Sequence, residues 1–160
     1  MDPLLELALA VKAGQREFER WVNEAMQPLG VTAAQAEAIT VIGQAGPLSL
    51  KELGELLIAE AGHPSRLVDR LVEAGWVERR AAEDDRRRVE LSLTPKGQEL
   101  EKRIYEARQS VLAAGRELIG ERDFEPLLAV LRELLELTPY ANLIARRREL
   151  FEQEAAVRAK

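Results

Sequence analysis

The chain has 160 residues, 46% hydrophobic and 32% charged, a globular balance that is long enough to bury a real core and too short for two large domains. It has no cysteine and one histidine, which excludes disulfides, zinc-thiolate sites, iron–sulfur clusters, thiol nucleophiles and sensing by thiol oxidation, and leaves His63 without partners for a multi-histidine metal site. The net charge of −5 argues against an overall basic nucleic-acid binder, so any such role has to rest on a local basic patch.

The first apolar stripe, Leu4, Leu7, Ala8, Val11, Phe18, Trp21, Val22 and Ala25, recurs at three and four and predicts a helix from Leu4 to Met26. The segment has no basic start, so it reads as a folded helix and not as a secretion signal, and no apolar run is long enough to cross a bilayer; both point to a soluble cytoplasmic protein. Gln27-Pro28-Leu29-Gly30 ends this helix. Thr32 with Gln35 forms a capping box, Val31 can staple onto Ala36, and a second helix is expected to about Ala45. After Gly46-Pro47 the pattern repeats: Ser49 with Glu52 caps, Leu48 staples to Leu53, and a short third helix is expected from Leu50 to about Ile58.

Proline in a first turn costs no backbone hydrogen bond, so Gly62-His63-Pro64-Ser65 marks the start of a fourth helix. Leu67, Val68, Leu71 and Val72 form its buried stripe, and Gly75 stops it. Two β-prone runs follow, Trp76 to Arg80 and Arg88 to Leu93, joined by a polar stretch that makes them a hairpin with a charged tip. Thr94-Pro95 opens a long fifth helix running to Ile119. Asp123 caps a sixth, Phe124 to Leu137, and Thr138-Pro139 restarts a seventh over 140–159.

Two short helices joined by a turn and followed at once by a hairpin form a winged helix-turn-helix, in which the second helix enters the DNA major groove. The face of the fourth helix opposite its apolar stripe carries Ser65, Arg66, Asp69 and Arg70, side chains that can address base edges and phosphates, though the same charges also suit a solvated face held by ion pairs. At the hairpin tip three acids precede Arg86, Arg87 and Arg88. An arginine clamped there by Asp85 suits the narrow minor groove, where a planar, weakly hydrated cation meets focused negative potential; a merely solubilising tip is the plainer alternative.

The runs LVDRLVEAGWVERR and DDRRRVELSLTPKG resemble the MarR family of bacterial winged-helix regulators, with the glycine after the recognition helix, an Asp-x-Arg in the wing at Asp85 and Arg87, and Leu93-Thr94-Pro95-Lys96-Gly97 leading into the next helix. The likeness spans roughly residues 4–137. It implies a mainly α fold with a DNA-binding lobe over 32–97 and a helical dimerisation region formed by 1–31 and 98–160. It further implies a homodimer on a pseudo-palindromic operator, acting as a repressor and released by a small aromatic or phenolic effector.

By position the resemblance places Ser65, Arg66 and Arg70 in the major groove and Arg87 in the minor groove, oriented by Asp85. Ser49 and Lys51 would touch phosphate. Where the family begins its recognition helix with small hydroxyl residues this chain has Glu60-Ala61-Gly62-His63-Pro64-Ser65, so the operator sequence is not carried over. The effector cleft would be lined by Phe18, Trp21, Met26, His63 and Trp76, all of which serve equally well as core residues. Leu143, Ile144, Leu150 and Phe151 of the last helix are expected to extend the dimer interface, with Arg146-Arg147-Arg148 solvated or paired with glutamates. Two other classes compete. A winged-helix protein-interaction module without sequence-specific DNA binding would use the arginine tip on an acidic partner, and an enzyme finds no glycine-rich phosphate loop, paired carboxylates or metal-ligand spacing.

Overall fold

The computed structural model describes residues 1–58, 64–82 and 88–158. Helix α1 runs Pro3–Met26, with Asp2 capping it by accepting from the Leu4 N–H at 2.7 Å. A 3-10 turn, Gln27–Leu29, leads into α2, Ala33–Ala45. Both predicted capping boxes form: Thr32 with Gln35 at the start of α2, and Ser49 with Glu52 at the start of α3, Leu50–Leu56. Helix α4 spans Pro64–Glu73, and strands β1 (Val77–Ala81) and β2 (Val89–Leu93) pair antiparallel with Val77 opposite Leu93. Helices α5 (Pro95–Ile119), α6 (Glu125–Leu135) and α7 (Tyr140–Arg158) complete the chain.

The core gathers the inner faces of α2, α3 and α4 on the sheet and on the first half of α5. Ile39, Leu53, Leu71, Leu91 and Ile104 are among its fully buried side chains. A rung not anticipated from sequence joins Leu48 to Leu91, with Leu91 N–H donating to the Leu48 carbonyl at 2.8 Å and Leu48 N–H returning the bond at 3.3 Å. The segment before α3 therefore pairs with β2, tying the helix-turn-helix to the wing.

Several boundaries shift by a residue or two from expectation, and three of the shifts have a local reason. Helix α3 stops at Leu56, because Leu57 turns extended into the core and the Ile58 N–H bonds to the Glu37 carboxylate instead of a helix carbonyl. Strand β1 begins one residue later than expected, since Trp76 still closes the end of α4 by donating to the Leu71 carbonyl at 3.0 Å. Helix α6 ends at Leu135, whose carbonyl accepts from both the backbone and the hydroxyl of Thr138.

Helix α7 requires a larger correction. Leu143 is 7% exposed and Leu150 packs against the core, because α7 folds back onto α2 and α3 of its own chain. These two leucines are consumed within the chain and are not free to extend a dimer interface, whereas Ile144 and Phe151 stay more than a third exposed.

Candidate nucleic-acid interface

Helix α4 is divided as its sequence pattern requires. Val68 and Leu71 are buried against α2 and α3, Leu67 and Val72 are half-buried, and Ser65, Arg66, Asp69 and Arg70 all face solvent. Arg66 and Arg70 make no ion pair with any described residue. Asp69 does: its carboxylate meets Arg79 of β1 at 2.6 Å, locking the exposed face of α4 to the wing. Farther along the hairpin Arg80 pairs with Glu78 at 2.6 Å and Arg88 with Glu90 at 2.9 Å. The cations on α4 and the wing thus form one exposed surface, partly held in place by neighbouring acids.

At the start of α3 the Ser49 hydroxyl accepts from the Glu52 N–H at 3.2 Å and donates to the Glu52 carboxylate at 2.7 Å. The Ser49 N–H donates to the same carboxylate at 2.7 Å, and this backbone bond, with the hydroxyl bond second, holds the Glu52 carboxyl below its usual value. Lys51 projects almost fully into solvent, 3.9 Å from Glu55. Of the residues assigned from sequence to the DNA face, Asp85, Arg86 and Arg87 lie outside the described residues.

The junction between wing and α5 is tightly built. Thr94 caps α5 by accepting from the Gly97 N–H at 3.0 Å and donates to the Gly75 carbonyl at 2.7 Å, while Lys96 Nζ donates to the Ala74 carbonyl at 2.9 Å. The stop of α4 and the start of α5 are therefore one unit, which explains why Gly75 and the Thr-Pro-Lys-Gly run occur together.

Of the residues assigned to an effector cleft, Trp76 lines a cavity of about 390 Å³ with Leu29, Lys96, Glu99, Leu100 and Arg103. The Lys96 ammonium sits 5.9 Å from the centre of the Trp76 ring. Three others are placed elsewhere: Met26 is 1% exposed in the core, Phe18 is open to solvent on α1, and Trp21 donates to Glu17. His63 lies outside the described residues.

This arrangement of two short helices, a tied-in hairpin and a basic outer face defines a winged-helix DNA-binding protein, and residues 31–97 match the winged helix DNA-binding domain family. The multiple antibiotic resistance protein MarR of Salmonella typhimurium is 33% identical over 96 residues, 60% of this chain and 67% of that protein. The transcriptional regulator YwoH of Bacillus subtilis is 31% identical over 111 residues, 69% of this chain and 78% of its own. The crystal structure of an Escherichia coli MarR variant complexed with operator DNA superposes with a TM-score of 0.74 at 27% identity, covering 84% of this chain and 96% of that one. The chain belongs to the MarR family of transcription regulators, which is not a family of enzymes. Among the described residues no helix is long and apolar enough to cross a membrane, and no cluster of acidic or histidine side chains is arranged to hold a metal ion.

Proposed function

We propose that this regulator is a repressor that binds a pseudo-palindromic operator as a homodimer in the cytoplasm, with α4 in the major groove and the wing in the minor groove. The observation that carries this reading is the exposed face of α4, where Arg66 and Arg70 make no ion pair among the described residues and stand beside a wing braced by the Asp69–Arg79 pair. Arg66 and Arg70 then read base edges and phosphates, and Asp69 positions Arg79. On α3 we assign the phosphate contact to Lys51, since the Ser49 hydroxyl is committed to Glu52.

Support for the dimer comes from the surface left bare. The accessible area is 11368 Å², against roughly 8,000 Å² for a compact monomer of this mass. No residue of α6 is buried, yet Leu127, Leu128, Val130 and Leu134 all lie on it, and α1 exposes Leu4, Leu5, Leu9 and Phe18. So much bare apolar surface on long helices calls for a partner, and a second copy supplies the same surface by symmetry. The effector, a small aromatic or phenolic compound, is assigned to the cavity beside Trp76. There Lys96 and Arg103 add cationic groups at the junction of α5 with the DNA-binding lobe.

The test is selection of bound fragments from the source genome with purified protein. Enrichment of paired half-sites about 10 base pairs apart, or a multiple of that, is expected, with binding that weakens steeply as salt rises. Absence of enrichment, or affinity indifferent to salt, would overturn the assignment.

A further inference from the structure

A helix of seven residues leaves its last carbonyls without partners and depends on tertiary contacts for its position. At the end of α3 those contacts come from the far end of the chain. Arg147 of α7 donates from one nitrogen, Nη1, to the Leu56 carbonyl at 3.2 Å and to the Glu37 carboxylate of α2 at 3.4 Å. The same Glu37 oxygen accepts the Ile58 N–H at 3.3 Å. A carbonyl and an N–H on either side of Leu57, where the backbone leaves α3, are thus held by one ion pair between α7 and α2. The pair is well shielded, its side chains 12% and 20% exposed.

The rest of α7 is placed to hold that guanidinium still. Leu143, Arg147, Leu150 and Glu154 recur at three and four on the face turned to the lobe. Leu143 is buried, and Glu154 accepts from Gln44 of α2 at 2.5 Å. The Phe151 ring lies 5.4 Å from the Arg147 guanidinium and 5.8 Å from that of Arg108, which itself donates to Thr40 at 2.8 Å. Burial lowers the pKa of both arginines, and Glu37 opposes this at each. Farther out, Arg146 pairs with Glu55 of α3 at 3.2 Å.

We propose that Arg147 is a positioning residue for DNA recognition: through Glu37 and the Leu56 carbonyl, α7 sets the end of α3 and with it the orientation of α4. This rests on the reading of α4 as the recognition helix. A base-reading helix must be held within fractions of an ångström, whereas attraction to phosphate tolerates far looser placement.

The experiment compares the unaltered full chain with Arg147→Met, which keeps a long apolar stem and removes the charge and donors. Affinity is measured for a fragment recovered by the genomic selection and for a mixed-sequence duplex. The selected fragment is expected to bind about tenfold more weakly and the mixed duplex within about twofold of the unaltered chain. Equal losses on both duplexes, or no loss on either, would overturn the proposal.

If Arg147→Met does not fold, Arg147→Lys carries the test. It keeps a cation for Glu37 and is expected to lose about threefold on the selected fragment only, since one ammonium replaces a planar fork. If the unaltered chain recovers no fragment, the DNA reading fails by itself, and amide exchange decides the positioning role. Faster exchange at Leu57, Ile58 and α4 in the variant supports that role, and unchanged exchange there overturns it.

Discussion

A Cβ placed on Gly97 would fall 2.0 Å from the carbonyl oxygen of Trp76. The first turn of α5 is thus pressed directly against the backbone that leaves α4. That close approach lets Thr94 and Lys96 reach the carbonyls of Gly75 and Ala74. Gly97→Ala must push the two segments apart, and because the obstructing atom is backbone no side-chain rotation relieves it. We expect a loss of about 3 kcal/mol, read as a lowered urea midpoint; a variant as stable as the parent would contradict the contact.

Single substitutions on the DNA face should separate into two kinds. Arg66→Ala or Arg70→Ala is expected to cost about 1–3 kcal/mol on the selected operator and to relax preference at one position of each half-site. Lys51→Ala should instead weaken all duplexes alike and reduce the salt slope by about one. Titrations of labelled operator and mixed duplex at several salt concentrations distinguish the two.

Glu52 gives a dependence on pH with a definite sign. Its native carboxyl lies below the ordinary 4.5 because it accepts from Ser49. Its contribution to stability is therefore complete above that ordinary value and is lost as pH falls through the lowered native one. Glu52→Gln keeps the capping box but loses the charge, and for so exposed a carboxylate it should differ most from the parent near neutrality, by about 0.5 kcal/mol, with the gap closing below pH about 4. Urea titrations across that range provide the check, and a gap that widened in acid would have the wrong sign.

The bare apolar face of α6 predicts how the proposed dimer can be broken. Replacing Leu127 and Leu134 by Glu puts two charges where both leucines are now more than half exposed, at 52% and 55%. Each leucine buried by a partner contributes about 1.5–3 kcal/mol to association. The double variant is expected to sediment as a monomer at concentrations where the parent is dimeric. An unchanged sedimentation coefficient would remove α6 from the interface.

Helix order and helix starts were legible because their signals are local. Thr32 with Gln35, Ser49 with Glu52, and the prolines at 64 and 95 act within one turn of chain, and all four helices start where these residues stand. The exposed face of α4 was legible for the same reason, since its burial follows the spacing of Val68 and Leu71. The inward face of α7 was not. Leu143, Ile144, Leu150 and Phe151 mark an apolar stripe, but their spacing does not tell whether it packs on a partner or on α2 and α3 of the same chain, where Arg147 and Glu154 also find their partners. The burial of Met26, Trp76's place beside a cavity and the solvent exposure of Phe18 were equally open, because an aromatic or methionine at helical spacing fits core and cleft alike.

What the amino-acid order determined by itself is the succession of elements, their caps and stops, and the resemblance carried by the hairpin and the run into α5. Tertiary structure alone decided the Leu48–Leu91 rung, the contact of Gly97 on Trp76, and the return of Arg147 to the end of α3. Caps and turns are decided by neighbours three or four residues apart, and those neighbours are visible in the chain. The rung, the close approach and the brace join groups far apart in sequence, whose meeting depends on how every intervening element packs.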